Sequence, residues 1–126
     1  MAYNTSAFIK ALRARVNKIL PCYYEEAPTK GYFPYAVLNG VHIVNLESGD
    51  LASFYLDIWM DEKNPVATET LESACDALRS SLHNEVISLR GVFAAHIGFE
   101  NQSIIADNEF DIAHRRLSMS ARIFYN

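Results

Sequence analysis

FPYAVLNGVHIVNLESGDLASFYLDIWMDEKNPVATETLESACDALRSSL, residues 33–82, carries two different periods back to back. In its middle, Phe54, Leu56, Ile58 and Met60 alternate with Ser53, Tyr55, Asp57, Trp59 and Asp61. Period two sustained over this length marks a strand with one face in the core, and its aromatic content agrees. Upstream, Pro34 opens a second strand, where a missing N–H does no harm. Tyr35 to Leu38 then runs into Asn39-Gly40, a strong hairpin signal between apolar runs. The preferred reading folds His42 to Leu46 back on Tyr35 to Leu38, reverses again at residues 47–50, and yields a three-stranded meander. The alternative is a bulge in one long strand, with its reversal at residues 47–50. Downstream the period becomes helical. Asn64 as cap and Pro65 at the first helical position start a helix. Glu69 and Glu72 suit its positive end. Ala67, Leu71, Ala74, Cys75, Leu78 and Leu82 line one side, and His83-Asn84 ends it.

Outward from this stretch, Phe8, Leu12, Val16, Ile19 and Leu20 predict an amphipathic helix over residues 6–19. Asn4, Thr5 or Ser6 caps it and Pro21 terminates it. Residues 22–32 are read as a loop holding Tyr23, Tyr24, Tyr32, Pro28 and Gly31. Its tyrosines either form a contact surface or pack beneath the loop. Ile87 and Leu89 lead to Gly91. Phe93, Ala95, Ile97 and Phe99 then alternate with polar and small residues, and Asn101-Gln102-Ser103 is read as a turn or short excursion. Ile104-Ile105 is the possible start of another strand, interrupted at Asp107-Asn108. The last strand holds Leu117, Met119, Ala121, Ile123 and Tyr125. Phe110 and Ile112 are out of phase with it, and a bulge near His114-Arg115 would account for that.

These elements predict one α+β domain over residues 1–126, with two helices on one face of a mixed, mostly antiparallel sheet of five to six strands. The opposite face would carry Tyr55, Trp59, Arg116 and Arg122, a mixture suited to a subunit contact or to solvent. Half of the 126 residues are apolar or aromatic and the net charge is −4, which excludes a disordered chain. The apolar runs are too short to cross a bilayer, and no signal peptide is recognised. Lys10, Arg13, Arg15, Lys18 and Lys30 face only Glu25 and Glu26 in residues 1–31, whereas the remainder has thirteen acids against six bases. The acidic balance argues against general nucleic-acid binding. The asymmetry allows a basic helix to meet the acidic face of a neighbouring copy.

The chemistry-bearing residues form no recognised catalytic pattern. Cys22 and Cys75 are read as reduced thiols, with Cys75 in the core. His42, His83, His96 and His114 lack metal-ligand spacing. A hairpin joining the strands around residues 93–100 and 110–125 would make His96 and His114 near neighbours and a candidate metal pair. Asp57, alone on a strand, is read as a hydrogen-bonded or interfacial carboxylate rather than a general base. No nucleophile elbow, phosphate loop or dinucleotide fingerprint is present.

The order of these features resembles the tail terminator, or tail completion, proteins of long-tailed phages. The resemblance rests on the N-terminal amphipathic helix, the Phe33-Pro34-Tyr35-Ala36-Val37-Leu38 strand after a tyrosine-bearing loop, and the Leu56-Asp57-Ile58-Trp59 strand. The helix from Ala67 to Leu82 and the closing alternation from Leu117 to Ile123 complete it, so it spans nearly the whole chain. It implies a virion structural protein without cofactor or catalysis, made in the bacterial host cytoplasm and placed at the head-proximal end of the tail. There it would form a ring, usually a hexamer, that stops tube polymerisation and docks the head. Its partners would be copies of itself, the tail tube protein and a head-completion protein, with no specific nucleic-acid or membrane target. Arg13, Glu47, Asp50, Asp61, Glu62, Lys63, Arg116 and Arg122 are the expected subunit or tube contacts, chosen from charge segregation and loop position. Rival readings are another head–tail joining or minor tail protein, and a small dimeric ligand-binding protein or enzyme.

Overall fold

A computed structural model describes residues 2–27, 33–61, 63–105 and 112–126 of the chain. The readings placed on Pro28, Lys30, Gly31, Tyr32, Glu62, Asp107, Asn108 and Phe110 lie outside these residues. In order, the elements are α1 (Thr5–Asn17), β1 (Cys22–Tyr24), β2 (Tyr35–Leu46), β3 (Gly49–Asp61), α2 (Ala67–Leu82), β4 (Val86–Leu89), β5 (Phe93–Ile105) and β6 (Ile112–Tyr125). The strands form one sheet in the order β1-β2-β3-β6-β5-β4. β1 runs parallel to β2 and every other neighbouring pair is antiparallel. This is the mixed α+β architecture expected from the alternating and helical periods.

Both helices lie on the same sheet face. From α1, Phe8, Leu12 and Val16 are buried, and from α2, Ala67, Leu71, Cys75, Leu78 and Leu82. They meet Phe54, Leu56, Ile58, Ala95, Ile97, Leu117, Met119 and Ile123 from the strands. Phe8 sits edge-on to both Phe54 and Phe93, with ring centroids 6.3 and 6.0 Å apart. α2 covers the middle of the sheet at β3 and β6, while α1 touches both edges, β1 and β4. The sheet therefore curls around its helices, and among the described residues no helix covers its other face.

Several local readings are corrected. Asn39-Gly40 does not reverse the chain: β2 is one strand with a shifted register between Asn39 and His42, and the reversal lies between Leu46 and Gly49. A glycine at φ +62° serves a bulge as well as a hairpin turn. Cys22–Tyr24 is not loop but an edge strand, paired Cys22 to Ala36 and Tyr24 to Leu38. Residues 101–103 continue β5 past a second register shift between Phe99 and Asn101. β6 has no bulge at His114-Arg115, because its pairing with β3 runs unbroken from Ile112 to Ile123. Arg115 takes a core-facing position there and is neutralised by Glu72 of α2, Nε to Oε1 at 2.7 Å. Asn4 caps α1, its Oδ1 accepting from Ala7 N at 3.1 Å. Asn64 instead closes the turn before α2, accepting from Val66 N, and Val66 takes the cap position without a side-chain bond.

Candidate assembly interface

The sheet face away from the helices is built by the odd-numbered residues of β3 and the even-numbered residues of β6. Tyr55, Trp59, Arg116 and Arg122 all lie on it, as the alternation predicts. Direct pairing sets Asp57 opposite Arg116 and Trp59 opposite His114. Across β2, Asn39 stands opposite Tyr55 and Val37 opposite Asp57.

These neighbours make a connected polar cluster around a carboxylate that is 3 % exposed. Arg116 donates to Asp57 through Nε (2.9 Å) and Nη2 (3.2 Å), and Asn39 Nδ2 donates at 2.7 Å. His114 Nε2 lies 2.9 Å from Oδ1. Neither imidazole nitrogen has a well-aligned hydrogen-bond partner among the described residues, so that approach is electrostatic. The imidazole stacks on Trp59 with centroids 3.7 Å apart, and the Arg116 guanidinium lies 4.2 Å above the Tyr55 ring. Burial alone would raise the Asp57 pKa. His114, Arg116 and Asn39 outweigh it and hold the carboxyl down at about 2. An anion held this firmly is a poor proton acceptor near neutrality. The cluster orders side chains instead. It fixes a guanidinium and two aromatic rings on an uncovered surface, where flexible groups would lose entropy on binding. Tyr35, beside Trp59 in the pairing, extends the aromatic area through contacts with Phe33 and Tyr23.

Arg122 reaches the tip of the β2–β3 hairpin, donating from Nη2 to Ser48 Oγ at 3.2 Å, and lies over Phe124. The structure thus brings Arg122 next to the 47–50 segment chosen independently from the sequence. Within that segment Glu47 is exposed, but Asp50 is buried and accepts from Tyr125 Oη (2.9 Å) and Asn45 Nδ2 (3.2 Å). Asp50 therefore anchors the hairpin to β6. Asp61 ends β3 and accepts from Lys63 N at 3.0 Å, Lys63 is exposed, and Glu62 lies outside the described residues. Arg13 is on α1, remote from this face, and donates from Nη2 to Cys22 O, tying β1 to the helix.

His96 pairs with Arg122 and His114 with Ile105, so the two histidines stand eight positions apart along β6. Among the described residues no group of three or more His, Cys, Asp and Glu is placed to hold a metal ion. Cys22 and Cys75 are buried free thiols whose pKa values burial pushes up to about 11 and 12. Thiols so buried are inert packing groups. His114 and Asn39 were the members of the cluster that sequence reading missed. The even parity of His114 with Arg116 and Arg122 was the available signal. No helix is long and apolar enough to cross a membrane among the described residues.

Over residues 6–124 the sequence matches the family described as tail completion protein gp17. Among solved structures, the chain is similar to one from the virion of a native gene transfer agent particle. The TM-score is 0.64 at 17% identity, covering 90% of this chain and 84% of that one. At this identity the likeness concerns the fold. No curated protein matches the sequence.

Proposed function

This chain belongs to the tail completion protein gp17 family, whose members are virion structural proteins and not enzymes, and from that premise we propose that it caps the tail tube. On this reading copies form a ring of about six at the head-proximal end of the tube. The ring stops further addition of tube subunits and offers its other side to a head-completion protein. A tube grows because each added layer regenerates the surface it bound. A cap ends growth by matching the tube on one side and presenting a different surface on the other.

The observation that carries this reading is the uncovered sheet face on which Tyr55, Trp59, Arg116 and Arg122 converge, with Arg116 held by Asp57. Aromatic rings and arginine on an ordered surface are the composition of contact surfaces. Glu47 and Lys63, at opposite ends of β3, extend the surface along the strand direction.

The test is to polymerise the cognate tube protein with and without this chain and to measure tube length. Shortened tubes with protein bound at one end support the cap. Tubes of unchanged length with no bound protein refute it.

A further inference from the structure

We propose that the contact between neighbouring copies packs α1 of one subunit against α2 of the next, a head-to-tail interface held by complementary charge; this rests on the ring reading above.

Each helix turns charges towards the rest of its own chain, and those charges are satisfied. Arg15 on α1 donates to Ser81 and faces Glu85 at 3.9 Å. Glu72 on α2 takes Arg115, and Arg79 lies 4.2 Å over the Phe99 ring. The outer stripe of each helix differs. On α1, Lys10 is exposed, and Lys18 is exposed at the helix end; neither has an ion-pair partner among the described residues. On α2, Glu69 and Asp76 are exposed and likewise without an ion-pair partner among those residues. The basic pair is eight residues apart and the acidic pair seven, about 10–12 Å in each case. Two helices laid side by side can therefore bring both pairs into register.

Small residues lie beside these charges on the outer faces of both helices. Ala14 is exposed and Ala7 and Ala11 partly so on α1, and Ser73 and Ala77 are exposed on α2. Small residues along the contact line let two helices approach closely. Open grooves of about 620 Å³ and 580 Å³ flank α1, the first beside Ala7, Ala11 and Leu89, the second beside Ile9 and Tyr24. Leu89 is 49% exposed beside α1, and Val66 49% exposed at the start of α2. Each stripe thus has apolar surface next to it that an approaching helix would cover. Because the two patches differ, the contact is heterologous, the type of contact that forms a ring when the rotation between copies closes.

Two charge-reversed chains test this. One carries Lys10→Glu and Lys18→Glu, the other Glu69→Lys and Asp76→Lys. Rings are counted on tail tubes by negative-stain imaging, with circular dichroism verifying that each chain folds. Neither chain alone should form rings, because each then sets like charge against like. An equimolar mixture should form them, since alternating copies restore opposite charge at every junction. A single chain with all four reversals should also assemble, because opposite charge is restored between its α1 and α2. Rings from either reversed chain alone, with wild-type rings present, would overturn this interface and leave the cap standing. No wild-type rings on tubes would overturn both.

Discussion

Asp57 and Arg116 stand directly opposite one another on β3 and β6, and the carboxylate takes both Nε (2.9 Å) and Nη2 (3.2 Å) of the guanidinium. The carboxylate is buried, whereas the arginine side chain keeps 34% of its exposure. The pair thus links the core of the sheet to the surface proposed for assembly. Removing its two members has unequal consequences. Asp57→Ala leaves Arg116 without its acceptor and Asn39 with only the Val37 carbonyl, and should destabilise the fold by about 2–3 kcal/mol, reduced from a fully buried pair by solvent at the arginine. Arg116→Gln leaves Asp57 with Asn39 and His114 and should cost about 1 kcal/mol. Urea unfolding measures both, and a larger loss for Arg116→Gln would contradict this arrangement.

The same carboxylate predicts an acid limb in stability. Its pKa is about 2 in the folded chain against an ordinary value of 3.8. A depressed carboxylate stabilises the fold fully above the unfolded pKa, and the contribution fades as pH falls towards and through about 2. The loss between pH 4 and 2 should be about 2 kcal/mol. Unfolding free energies of wild type and Asp57→Asn, followed down this range, should converge. A constant difference across it would show that Asp57 is not the source.

Two glycines on β2 and β3 should respond differently to a methyl group. A Cβ at Gly49, where φ is +139°, would run into the backbone carbonyl of Ile123. That oxygen belongs to the neighbouring strand and cannot move alone. A Cβ at Gly40, where φ is +62°, would meet the half-exposed Tyr55 ring, which can swing aside. Gly49→Ala should therefore cost about 3 kcal/mol or prevent folding, and Gly40→Ala about 1–2 kcal/mol. Thermal unfolding of the two variants checks the order.

Truncating Phe8 tests how α1 is held. Its ring is 1% exposed and sits edge-on to Phe54 and Phe93. Phe8→Ala should cost about 3–5 kcal/mol, and hydrogen exchange should show α1 opening before the β3–β6 pair. Uniform loss of protection across the chain would show that α1 is not a separable layer.

The features legible in the sequence were those that one strand or one helix specifies alone. The alternation from Ser53 to Asp61 named the two faces of β3, and thereby put Tyr55 and Trp59 on the uncovered side. The even positions of β6 did the same for Arg116 and Arg122. Features that depend on a partner were not legible. Gly40 adopts the same backbone in a hairpin turn and in a bulge, and the choice rests on how β2 pairs with β3. Three residues, Cys22–Tyr24, are too few to show a period, and only their parallel pairing to β2 makes them a strand. The bulge expected near His114-Arg115 rested on Ile112 being out of phase with Leu117; the unbroken pairing instead puts Arg115 on the core side, where its counter-charge, Glu72, comes from a distant helix. Asp50 was chosen as a surface contact for its place in a turn, and Tyr125, far along the chain, draws it inward.

The cap itself is tested most directly by negative-stain imaging of purified tail tubes incubated with the protein, supported by mass measurements across protein and salt concentration. The account predicts ring-shaped density of about six copies on one end of each tube, lost on charge reversal at the exposed Arg122 while the fold remains intact. Bare tube ends, together with a concentration-independent dimer in solution, would contradict it.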